Sequence, residues 1–131
     1  MSAARRTLTQ ILRLALWLMV AGAVVQFFLA GLFNFGDNDA RDTHEGVGWM
    51  VHTLGMLALL LSIAGPRTKL LMLGTLGLVV LNTIQILLSQ VDTAAVAALH
   101  PVLGLAVLGG AVSLAIRVGR AASADAPVSA R

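Results

Sequence analysis

The sequence predicts an all-α protein, a four-helix up-and-down transmembrane bundle, and three observations predict it. Hydrophobic residues fill 58% of the 131 positions and charged residues 11%, a balance far from that of a soluble domain. The mean hydropathy is +0.90. Apolar runs reach, four times over, the roughly 20 residues that a helix rising about 1.5 Å per residue needs to cross the hydrocarbon core.

The first segment runs from Ile11 to Phe35. Its apolar stretch from Leu14 to Phe33 exceeds the roughly 7 to 15 residues of a signal-peptide core, so it reads as a retained helix. It ends at Asn34-Phe35-Gly36-Asp37-Asn38-Asp39, a run of turn formers. The second segment, Val47 to Gly65, closes at Gly65-Pro66-Arg67. The third, Lys69 to Gln90, closes at Gln90-Val91-Asp92-Thr93, and the fourth spans Ala95 to Arg117. Short breaks make sequential helices antiparallel neighbours. Residues 1–120 thus form one domain, and residues 121–131, with nothing to bury, read as a disordered cytoplasmic tail.

Positive charges set the expected orientation. Arg5, Arg6 and Arg13 lie at the start of the chain, Arg67 and Lys69 between the second and third segments, and Arg117, Arg120 and Arg131 at the end. On the other side Arg41 stands alone among Asp37, Asp39, Asp42, Glu45 and Asp92. The positive-inside rule therefore puts both termini in the cytoplasm of a bacterial cell membrane. The same placement accounts for the basic pI without nucleic acid, since the arginines mark segment ends and line no face.

Several chemistries have no members here. The chain has no cysteine, which removes disulfides, thiolate metal sites, iron–sulfur clusters and covalent c-type haem attachment. No Asp or Glu falls within a span, so a carboxylate relay of the kind pumps use is missing. No Glu-x-x-His pair, Ser/His/Asp set or phosphate loop occurs.

What remains is a pair of histidines at membrane depth. His52 and His100 each sit roughly five residues inside the second and fourth segments, at matching heights. An ionisable side chain there is costly and by default faces the bundle interior. The second and fourth helices of a square bundle are diagonal partners, with a diagonal of roughly 14 Å for axes about 10 Å apart. Two histidine reaches of around 6 Å to a metal at about 2 Å nearly fill it. The geometry suits one iron held by two imidazoles, with a flat macrocycle between the helices. Gly48 and Gly55 share the face of His52, and Gly104 follows His100 by four residues, which leaves room for a porphyrin against the backbone. Gly74, Gly77, Gly109 and Gly110 lie away from the histidines, where small residues simply permit close helix packing.

A weak internal repeat points the same way. Gln26-Phe27-Phe28-Leu29-Ala30 in the first segment and Gln85-Ile86-Leu87-Leu88-Ser89 in the third each precede a loop and a histidine-bearing helix. Two helix hairpins related by a pseudo-two-fold axis along the membrane normal would set equivalent histidines on either side of that axis.

In this order of features the chain resembles one half of the heme A synthase family. The residues that carry the likeness are Gln26, His52 in Met50-Val51-His52-Thr53, Gln85 in Ile84-Gln85-Ile86-Leu87-Leu88, and His100 in Ala97-Ala98-Leu99-His100. In that family each four-helix half holds its haem with histidines of its second and fourth helices, so the resemblance implies His52 and His100 as axial ligands. The chain departs from the family in having Thr53 after His52 where Arg is usual and Trp49 three residues before it where the oxidising half has Glu. The external cysteine pair is also missing. The resemblance therefore implies haem binding more than synthase activity.

Other polar residues carry alternatives. His44 reads as a solvated residue of the acidic loop; it would otherwise bind a transient metal, gate a proton, or replace His52 as a ligand if the second helix starts earlier. Arg41 either balances loop charge or pairs with a haem propionate. Asn82, Gln85 and Ser89 form a polar stripe that should face inward, as interhelical hydrogen bonds or, through Gln85 and Gln26, as partners of an imidazole, a propionate or a quinone. Pro101 frees the Ala97 carbonyl and kinks the fourth helix or marks its start.

The leading expectation is a small protein binding haem b through His52 and His100 for one-electron transfer, with Gly48, Gly55, Gly104, Gln26, Gln85 and Arg41 around the cofactor. Its partners would be membrane lipid, a redox protein or quinone, and a second copy of the chain. The competing expectations are a haem-free accessory or scaffold subunit and a small transport or quinone-handling protein.

Overall fold

The computed structural model describes residues 2–66 and 68–124. They form α1 (Ala3–Asn34), α2 (Asp39–Ala64), α3 (Lys69–Leu88), the single turn α4 (Ala94–Ala97) and α5 (Leu99–Ala124). The α5 helix takes in the first four residues of the tail expected to be disordered, Ala121 to Ala124. The rest of that tail, residues 125–131, lies outside the described residues, as do Met1 and Arg67.

Both of the first two helices begin eight residues before the expected boundary. Hydropathy marks the apolar part of a span, whereas a helix continues through polar residues as long as its end groups are satisfied. At the start of α1, Ser2 Oγ accepts from the Arg5 amide at 3.4 Å. At the start of α2, Asp37 Oδ1 accepts from the Ala40 amide at 3.3 Å, and Asp39 and Asp42 lie in the first turn, where negative charge meets the positive helix end. Thr68 caps α3 by accepting from the Leu71 amide.

The connection between α1 and α2 shrinks to Phe35–Asn38, and Gly36 makes that possible. The Asp37 amide donates to the Leu32 carbonyl and the Gly36 amide to the Phe33 carbonyl, both at 3.1 Å, while Gly36 holds φ at 102°. This is a Schellman end, whose left-handed residue is glycine because a Cβ would be strained there. The fourth span is broken at Ala98. Pro101 has no N–H for the Ala97 carbonyl and its ring crowds that residue, so α4 stops and the helix restarts at Leu99.

Around the bundle, α1 packs on α2 and α5, and α3 packs on the same two. The α2 and α5 helices therefore oppose one another across the diagonal, as the up-and-down topology predicts. The solid core fills the half of the bundle nearer the basic end. Leu12, Leu16 and Met19 of α1, Ala58 and Ser62 of α2, Thr75 of α3 and Ala111, Ala115 and Val118 of α5 are fully buried. Glycines let α3 and α5 interlock: a Cβ on Gly74 would lie 2.8 Å from Leu114 Cδ2, and one on Gly110 2.8 Å from Leu78 Cδ2.

The outside is apolar. Leu14, Leu60, Leu73 and Leu105 are more than half exposed, one on each long helix, and four helical spans are long and apolar enough to cross a bilayer. Backbone polar groups are satisfied inside the helices, which is the condition for standing in hydrocarbon. The chain is a multi-pass membrane protein.

Candidate functional site

Toward the acidic end the solid core gives way to a cavity. It encloses about 60 Å³ and opens into a cleft, about 490 Å³ of atom-free space in all. The α1 helix contributes Ala23, Gln26, Phe27 and Ala30; α2 contributes His44, Gly48 and Val51; α3 contributes Asn82 and Gln85; α5 contributes His100, Pro101, Gly104 and Val107. The expected residues Gln26, Gly48, Gln85, His100 and Gly104 thus come together.

The histidine facing His100 is His44, with ring centres 6.0 Å apart and planes inclined by 54°. This corrects the expected pairing of His52 with His100. The cause is the register of α2. Because the helix starts at Asp39, His44 lies one turn inside it, and Ala40, Val51, Gly55, Ala58 and Ser62 continue its inward stripe, all buried. His52 is eight positions on from His44, about 80° around the helix at 3.6 residues per turn. It turns away from the cavity, edge-on to Trp49 at 6.0 Å, and its Nδ1 is buried with no hydrogen-bond partner.

Each facing ring is anchored from behind by a glutamine main chain. His44 Nδ1 lies 3.1 Å from the Gln26 carbonyl oxygen, and His100 Nδ1 lies 2.8 Å from the Gln85 carbonyl oxygen. A carbonyl only accepts, so in both rings Nδ1 carries the hydrogen and donates it. The neutral ring then keeps its lone pair on Nε2, which is the ligand form of imidazole. Proline helps aim one of them, since Pro101 lies in the first turn of α5, directly after His100.

The glutamine side chains lie on the glycines of the opposing helix. A Cβ on Gly48 would stand 2.7 Å from Gln26 Nε2, and one on Gly104 3.3 Å from Gln85 Oε1 and 3.4 Å from Phe27 Cζ. These glycines therefore admit close approach, as expected, but the slot beside them holds the flexible amide ends. The enclosed volume is room for roughly two waters, so a flat macrocycle needs those two side chains to swing aside and the surrounding helices to part. Gly55 plays no part in the cavity: its neighbours are Met19 and Val79. Arg41 is also off the wall, with its guanidinium over the Phe33 ring at 5.8 Å.

The cavity wall is short of hydrogen-bond partners. Gln85 Nε2 donates to Asn82 Oδ1 at 3.0 Å, but Gln26 Oε1, Gln85 Oε1 and Asn82 Nδ2 are buried and unpaired. Leaving such an atom unsatisfied costs about 1–3 kcal/mol. Three such atoms lie together at this one site, within reach of any water or polar group that enters the cavity.

The pairing of glutamine with histidine recurs in both hairpins, α1–α2 and α3–α5. Leu12, Met19, Ala23 and Gln26 correspond to Leu71, Leu78, Asn82 and Gln85, each 59 positions on. His44, Gly48 and Val51 correspond to His100, Gly104 and Val107, each 56 positions on. The pattern His-x-x-x-Gly-x-x-Val in both inward helices was the signal that identifies His44. It is masked by the polar run before Val47, which hydropathy assigns to a loop.

Comparison with known proteins adds one relationship. A family model described as a family of unknown function, DUF6220, matches residues 26–95, a stretch from Gln26 through His44 to Gln85. No curated protein and no solved structure matches the chain.

Proposed function

We propose that this chain, which belongs to the DUF6220 family, binds haem b between α2 and α5 with His44 and His100 as the two iron ligands, and that it transfers single electrons in the membrane. The facing pair of Nδ1-anchored imidazoles carries this reading. With metal–nitrogen bonds of about 2 Å on either side, the centres of two opposed imidazoles fall roughly 6 Å apart, and the rings here are 6.0 Å apart. Two protein ligands are too few to hold a bare ion. Among the described residues no cluster of three or more His, Cys, Asp or Glu could hold a metal, so a metal held by this pair would have to bring most of its own donors.

Bound there, the haem supplies a reversible one-electron couple. The protein's residues do the rest. The Gln26 and Gln85 carbonyls hold both imidazoles in the ligand tautomer and make them more basic. Phe27, Val51 and Val107 exclude water from the ring faces, and burial of this kind tunes a redox potential. With both histidines used to hold the haem, the site would offer no open position to a substrate, which favours electron transfer over oxidation chemistry. The likeness to a heme A synthase half was carried by His52, which does not face His100, so of that likeness only the order of the Gln- and His-bearing helices supports the reading. The positive-inside rule orients the cavity toward the outer face of a bacterial cell membrane, with a redox protein or quinone as the partner.

The test is an absorption spectrum of the protein purified in detergent after expression with haem supplied, oxidised and then reduced by dithionite. The expected result is a low-spin b-type spectrum that is lost in His44→Ala and in His100→Ala. A colourless wild type under those conditions overturns the proposal.

A further inference from the structure

At the opposite, basic end a second, shallow cavity, wide open to the surface, lies between α1 and α5, lined by Arg13, Trp17, Ala115, Ile116, Gly119 and Arg120. Its depth distinguishes it from an ordinary charged helix end. Leu8 of α1 is level with the end of α2, because a Cβ on Gly65 would lie 3.1 Å from Leu8 Cβ. Arg13 is five residues further in, roughly 7 to 8 Å at 1.5 Å per residue. Arg13 itself is exposed on the outer side of α1, while its neighbours Leu12, Ala15 and Leu16 face the core.

Gly119 is what admits the guanidinium. A Cβ on Gly119 would lie 3.2 Å from both Arg13 Cζ and Nε, so the planar group rests on the bare α5 backbone. From the same helix Arg120, the next residue, lines the cavity. Every carboxylate among the described residues, Asp37, Asp39, Asp42, Glu45 and Asp92, belongs to the other end. Two cations thus converge on an open recess near the basic end of the bundle, beside Trp17, an indole of the kind enriched at membrane interfaces. Guanidinium groups match phosphate oxygens in geometry and charge.

We infer that Arg13 and Arg120, with Trp17 and Gly119 shaping the recess, form a binding site for a phosphate-bearing anion, of the chemistry carried by an anionic lipid headgroup. Basic pockets between transmembrane helices bind such headgroups. This site is independent of the histidine pair, so it stands or falls without reference to haem.

The experiment measures thermal unfolding of the full chain in neutral detergent with added phosphatidylglycerol, phosphatidylcholine or inorganic phosphate. The expected result is a saturable rise in Tm with phosphatidylglycerol and none with phosphatidylcholine. Neutralising one arginine, in Arg13→Gln or Arg120→Gln, should weaken apparent affinity about fivefold, the equivalent of roughly 1 kcal/mol per basic side chain. Arg5→Gln with Arg6→Gln should leave it unchanged, and Arg13→Lys should retain part of it, which separates lost binding from lost folding. An equal rise with inorganic phosphate alone supports the site and identifies free phosphate as its source. No rise with either anion, or a rise that survives both single substitutions, overturns the inference. So does an equal loss in the Arg5/Arg6 variant, which would show diffuse charge attraction.

Discussion

His44 and His100 meet ring to ring across the bundle diagonal, 6.0 Å apart, from helices whose backbones pack mainly on α1 and α3. Each ring is held from behind by the main chain of one of those flanking helices, at Gln26 and Gln85. The arrangement is a two-fold construction in which each hairpin supplies one ring and the carbonyl that orients it. A substitution in one hairpin should therefore have a counterpart in the other.

The register of α2 makes the first prediction. Because His52 points about 80° away from the inward stripe, His52→Ala should leave the haem spectrum and its midpoint potential unchanged, while His44→Ala abolishes the spectrum. Equal loss in both variants would mean that α2 is rotated from the orientation described, and a potentiometric titration of His52→Ala reads this directly.

Filling the slot gives the second prediction. At Gly48 and Gly104 a new Cβ meets the movable ends of Gln26 and Gln85, so Gly48→Ala and Gly104→Ala should fold with little change in Tm. A longer side chain enters the cavity itself, and Gly48→Leu and Gly104→Leu should lose at least tenfold in haem content per protein. Gly46→Leu and Gly109→Leu, where nothing stands within 4 Å, are the matched controls and should retain full haem content.

Packing elsewhere separates two kinds of glycine. A Cβ on Gly22 would lie 2.6 Å from Val51 Cγ2, and a β-branched side chain has few rotamers to retreat into. Gly22→Ala should destabilise by about 1–3 kcal/mol. Gly77 has open space around its Cβ, and Gly77→Ala should be neutral or stabilising by up to about 1 kcal/mol. Denaturation in mixed micelles compares the two, and a smaller loss at Gly22 than at Gly77 would contradict the α1–α2 contact.

The sequence made the four spans, the antiparallel order and the diagonal relation of α2 to α5 legible, because burial in lipid demands long apolar helices and short turns leave one topology. It also singled out several residues that line the cavity, since Gln26, Gln85, Gly48, Gly104 and His100 stand out as polar or small among apolar neighbours. Its leading reading paired His52 with His100 and kept His44 as the alternative should the second helix start earlier, as it does. His44 is preceded by Asp37, Asp39 and Asp42, and a helix that starts in such a run has the composition of a loop. Only the tertiary fact that α2 begins at Asp39, with its acids at the positive helix end, brings His44 inside. Asn82 shows the reverse: its place in a polar stripe was visible, but its unpaired Nδ2 depends on which atoms Gln85 and the opposite helices present.

Orientation yields the last prediction, and the absence of native cysteine makes it clean. The basic end gathers Arg5, Arg6, Lys69, Arg117 and Arg120, and the acidic end gathers Asp37, Asp39, Asp42, Glu45 and Asp92. Translocation retains positive loops on the cytoplasmic side, so Ser2 should face the cytoplasm and Asn38 the outside. In intact cells a membrane-impermeant maleimide should label Asn38→Cys and leave Ser2→Cys unlabelled until the membrane is permeabilised. The reverse pattern would place the histidine cavity toward the cytoplasm, and the proposed redox partner would then have to be sought there.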